Sequence, residues 1–138
     1  MAAGGASVLF LGILNRVMRV ELGLDLFVVS LLVGGGHYLG ALVALPFGNY
    51  SDAHPLAGYR RTLYILGGTL VTALVLAFAP AVARWIAAAP SALTVSVGFL
   101  FFALEGISTV VAGTAYLALI VDRTDEAQRG PATGLVWT

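Results

Sequence analysis

The sequence contains no cysteine and no lysine, and only 10 % of its 138 residues are charged. Without cysteine there is no disulfide framework, no thiol nucleophile and no thiolate metal site. Seven arginines balance seven acidic residues. Zero net charge without a basic cluster argues against a nucleic-acid partner. Soluble domains carry about 25 % charged residues. This chain carries less than half of that, is 59 % hydrophobic and has a mean hydropathy of +0.96. The composition is that of an integral membrane protein. A phosphate-cradling glycine loop with lysine, an HExxH-type metal spacing and a credible Ser–His–Asp ordering are all missing, so the sequence points away from an enzyme.

Apolar runs are what the chain has in abundance. A hydrocarbon core of about 30 Å needs about 20 apolar residues to cross it. Residues 27–47, 62–83 and 94–121 each meet that length; the first holds His37, the last Glu105, and the middle run no ionisable group. Residues 2–14 are too short to cross alone and lack the positive flank of a signal peptide. Extension to residue 24 gives enough length and gathers Asn15, Arg16, Arg19 and Glu21 toward one end, where arginines snorkel to the interface. An amphipathic helix lying in the interface is the competing reading of this segment. At the other end Pro131 suits a first helical turn, and residues 131–138 read as the opening of a further helix that stops in mid-course.

The expected fold is therefore all-α: a single membrane domain over residues 1–138 with helices about 2–24, 27–47, 62–83 and 94–121, and the start of a fifth from 131. The segment 48–61, with Gly48, Asn49, Asp52, Pro55 and Gly58, predicts a tight helix-breaking turn. It ends in Arg60 and Arg61. These two, with Arg123 and Arg129, outnumber Arg84 and the Arg16/Arg19 pair on the opposite side, which favours the 48–61 side as cytoplasmic.

Three segments carry a family resemblance. Gly48, Asp52, Gly58, Arg60 and Arg61 resemble the signature between the second and third helices of the major facilitator superfamily. Residues 14–23, Leu-Asn-Arg-Val-Met-Arg-Val-Glu-Leu-Gly, closely resemble the end of the first helix in the PucC family. Residues 51–54, 58–65 and 68–70 resemble that family's second loop and third helix, and 114–122 with Arg129 and Gly130 its fourth helix and following loop. The resemblance implies a partial major-facilitator fold. It also implies a role in assembling bacterial light-harvesting complexes and in handling (bacterio)chlorophyll, in the inner photosynthetic membrane. Family members resemble full transporters of about twelve helices, and alternating access needs two halves rocking about a midplane site. Four helices and the start of a fifth do not supply them.

Within that frame the candidate residues divide into two groups. Glu105, at membrane depth with Ser108 and Thr109 on its helical face, is either a proton-linked or pigment-contacting acid or a protonated glutamate bonded to a neighbouring helix. His37, among Gly34, Gly35, Gly36 and Gly40, is either an axial ligand to the magnesium of a chlorophyll or a hydrogen-bonding group in a small-xxx-small packing face. Asn15, Arg16, Arg19 and Glu21 either grip a partner or pair among themselves, the latter contributing about 0–1 kcal/mol. Asp52 with Arg60 or Arg61, and Asp122 in the loop after the fourth span, are gating or structural charges. Glycine-rich faces on the second, third and fourth helices are expected to dock antenna or partner helices. The expected partners are the lipid bilayer, light-harvesting or reaction-centre polypeptides, and a second transporter-like half. The readings competing with antenna assembly are a fragment or half of a solute transporter and a permanent subunit of a photosynthetic complex.

Overall fold

A computed structural model describes residues 12–53, 61–125, 128–130 and 134, apart from the side chains at positions 37, 44, 45, 48, 51 and 52. Every element among the described residues is helical. A short π-helical segment, Val17–Glu21, precedes three long helices: α1 (Leu26–Ala53), α2 (Thr62–Ala88) and α3 (Ala92–Arg123). All three are long and apolar enough to cross a membrane. A backbone in hydrocarbon must satisfy its own N–H and C=O groups, and a helix does so within one segment. The chain adopts the all-α bundle that its composition predicts.

The helices run further than the hydrophobic runs alone suggest. α1 continues to Ala53 through Gly48, Asn49 and Tyr50, residues that the sequence assigns to a turn. Glycine costs a helix about 1 kcal/mol, and a helix already nucleated gains one hydrogen bond for each residue added. α2 likewise takes in Arg84 and Trp85, whose positions the sequence gives to a loop, and ends at Ala88. The connection to α3 is only residues 89–91. It is held by a capping box: Thr94 N–H donates to Ser91 Oγ at 3.2 Å and Ser91 N–H to Thr94 Oγ1 at 3.0 Å.

The N-terminal segment stops before residue 24. Leu22 N–H reaches back to Val17 O at 3.0 Å, a five-residue π-type step, and Gly23 then turns the chain at φ +64°. L-residues with a Cβ rarely adopt that conformation. Asp25 opens α1 by accepting Phe27 N–H on Oδ1 at 2.7 Å. The expected beginning of the first helix, residues 2–11, and most of the expected fifth, residues 131–138, lie outside the described residues.

The topology is up, down, up, with α3 in the middle. The backbones of α1 and α2 approach α3 rather than each other. Leu32 from α1 and Ile86 from α2 close over Gly98 of α3 and join Met18, Val29, Ala83 and Phe102 in the apolar core at one end of the bundle. At the opposite end Phe47 and Tyr64 meet edge to face, with ring centroids 5.3 Å apart. Only 22 to 33 % of each span is buried inside. Phe27, Leu42, Leu66, Phe78, Leu100 and Leu104 therefore present large apolar surface outward, a face suited to lipid or to further helices.

Candidate functional site

Buried polar groups are few among the described residues, and three of the four meet at one level of the bundle: Thr72, Glu105 and Ser108. The fourth, Thr94, belongs to the cap of α3. On α3, Glu105, Ser108 and Thr109 stand at i, i+3 and i+4 and so share one face. The antiparallel register of α2 brings Thr72 opposite them. Gly68, one turn before Thr72, makes that approach close. A Cβ at Gly68 would lie 2.8 Å from Ser108 O and 3.0 Å from Ala112 Cβ, so the glycine lets α2 lie against the α3 backbone.

The resulting contacts form a chain of oxygens. Thr72 Oγ1 lies 2.9 Å from Ser108 Oγ and 3.2 Å from Thr109 Oγ1. Thr109 Oγ1 is 3.0 Å from Glu105 Oε1, and Ser108 donates to Glu105 O at 3.0 Å. Glu105 is only 1 % exposed. A buried carboxyl in such a setting is costly unless its polar atoms are bonded; Thr109, one turn along the same helix, bonds Oε1, and Thr72 of α2 reaches the carboxyl only through Thr109. This cluster is the chemistry-bearing feature of the α2–α3 seam.

The other sequence-derived candidates fall elsewhere. His37 lies on α1 next to Gly36, and its side chain is outside the described residues, as is that of Asp52; Arg60 belongs to the undescribed stretch 54–60. Arg61 Nε lies 3.3 Å from Asp122 Oδ2, an ion pair that ties the start of α2 to the end of α3. Asn15, Arg16, Arg19 and Glu21 are exposed around the π-helical segment at the other end of the bundle. Among the described residues no ion pair joins Arg16 or Arg19 to Glu21.

One expectation is corrected. Four of the glycines read as docking surfaces for partner helices, Gly36, Gly40, Gly68 and Gly98, face inward instead. A Cβ at Gly36 would stand 2.5 Å from Phe102 O, one at Gly40 2.5 Å from Gly106 O, and Gly68 and Gly98 are similarly enclosed. They pack α1 and α2 onto α3, the small-residue geometry that membrane helices use for close approach. Gly67 and Gly113, with nothing near a Cβ, remain open.

Thr72 is the site residue that sequence reasoning missed, because a lone threonine in an apolar run carries no motif. The signal was the stripe Gly68, Thr72, Val75, Ala79, Ala83, Ile86, all buried and spaced by three and four on one face of α2.

Comparison with known proteins gives the family. The family model described as PUCC protein matches residues 13–138. A curated relative in Rhodobacter capsulatus, "Uncharacterized protein in puhA-bchM intergenic region", is 32 % identical over 146 residues, covering 99 % of this chain and 30 % of the relative. The chain thus spans about a third of that relative's length. No solved structure matches. With nearly its whole length matched, the chain belongs to the PUCC protein family.

Proposed function

We propose that this protein assists the assembly of photosynthetic light-harvesting complexes in a bacterial inner membrane, by docking antenna helices and handling bacteriochlorophyll. Family membership over residues 13–138 carries the reading. The geometry supports a membrane-embedded docking role, since large apolar side chains face outward on all three spans. With Gly36, Gly40, Gly68 and Gly98 turned inward, those outward faces are the surfaces available to antenna helices or to reaction-centre polypeptides. Glu105 is turned into the α2–α3 seam, so a pigment reaches it only where the seam opens. His37, among the glycines of α1, is the proposed position for an axial contact to the pigment's magnesium.

The test is a deletion in a phototrophic bacterium that carries the gene, complemented with wild type or with His37→Leu. Antenna absorption per reaction centre is expected to fall in the deletion, return with wild type, and return only in part with His37→Leu. Normal antenna in the deletion would sink the assembly reading and leave part of a solute transporter. Full recovery with His37→Leu would remove the pigment contact while leaving docking.

A further inference from the structure

The oxygen cluster in the α2–α3 seam has a proton count that depends on Glu105. Four contacts link Thr72, Ser108, Thr109 and Glu105: Thr72–Ser108, Thr72–Thr109, Thr109–Oε1 and Ser108–Glu105 O. Each hydroxyl has one proton to donate. With the carboxylate ionised, three protons serve four contacts. Whichever way the hydroxyls turn, one contact is left as two oxygens with nothing between them. While Ser108 donates to Glu105 O and Thr109 to Oε1, Thr72 bonds only one of its two partners at a time, and the loss falls on the seam between the helices.

A proton on Oε1 makes four for four. The carboxyl O–H donates to Thr109 Oγ1, Thr109 to Thr72, Thr72 to Ser108, and Ser108 to Glu105 O. The circuit runs in one direction, every distance lies between 2.9 and 3.2 Å, and both contacts across the seam are bonded. We propose that Glu105 is a proton-binding site: filled, it completes a one-way circuit of four hydrogen bonds that ties α2 to α3; emptied, it opens one of them. The inference is independent of antenna assembly. The buried positions of α2 at this level, Gly68, Thr72 and Val75, carry no titratable group, nor do Ser108 and Thr109 of α3. α1 brings His37, next to Gly36 at the Phe102 level, and the charged pair Arg61–Asp122 sits at the far end of the seam.

Infrared spectra of the full chain in detergent at neutral pH test this. The wild type is expected to show a protonated-carboxyl C=O band that is lost in Glu105→Gln and displaced in Thr109→Val. The amide N–H of the glutamine donates to Thr109 in place of the acid proton, so Glu105→Gln keeps the circuit and the fold. Identical carboxyl regions in wild type and Glu105→Gln would overturn the proposal. Were that variant not to fold, Thr109→Val decides alone: a displaced band supports the proton site and an unmoved one overturns it.

Discussion

At the scale of single residues, the bundle depends on positions where a side chain is missing. Gly40 of α1 stands where an added Cβ would meet Gly106 O at 2.5 Å and Val110 Cγ2 at 2.9 Å. A backbone oxygen cannot rotate away as a side chain does, so the helices must separate. Gly40→Leu is therefore expected to destabilise by roughly 3 kcal/mol, the upper end for overpacking. Gly67→Leu, where nothing lies within 4 Å, should stay within about 0.5 kcal/mol of wild type or gain slightly. Chemical unfolding of the two variants in detergent, side by side, checks the contrast; equal losses would mean that α1 does not pack on α3 through this face. The small-xxx-small spacing of Gly36 and Gly40 was legible in the sequence as a packing face, and so was the shared face of Glu105, Ser108 and Thr109. Thr72 was not, because its role arises from a neighbour far along the chain. Pattern along one helix shows which face is buried but not which helix it meets.

At the scale of elements, local signals gave the existence of the helices better than their ends. The apolar runs located α1, α2 and α3. Gly48 and Asn49 suggested a stop that the helix ignores, since a weak local preference loses to continued backbone bonding. The start of α3 is different, because a specific side chain closes it. Ser91 and Thr94 bond each other's backbone N–H in a box, and Pro90 stands just before them, a residue that interrupts helices. Ser91→Ala is expected to cost about 1 kcal/mol. Hydrogen exchange should report the loss as faster exchange at residues 92–95, with the middle of α3 unchanged. Uniform exchange along the helix would show that the cap does not hold this end.

At the scale of the whole molecule, three crossings of alternating direction put Ala53 and Arg61 at one end and Ala89 with the π-helical segment at the other. The sequence has no cysteine, so single introduced thiols report position without background. Ala53→Cys and Ala89→Cys, both at exposed positions, are expected to react with an impermeant thiol reagent from opposite faces of the membrane, Ala53→Cys from the arginine-rich cytoplasmic face. Labelling from one face would break the topology. Arginine placement is the basis for the expected sidedness; the central position of α3 was not readable in the sequence, because hydropathy carries no information on which helix lies between the others. That central position sets an order of events during synthesis. α1 and α2 leave the ribosome before the helix on which both of them pack, so each must first stand in the bilayer as a separate span, with Thr72 facing lipid. The bundle closes only when the third of these helices arrives.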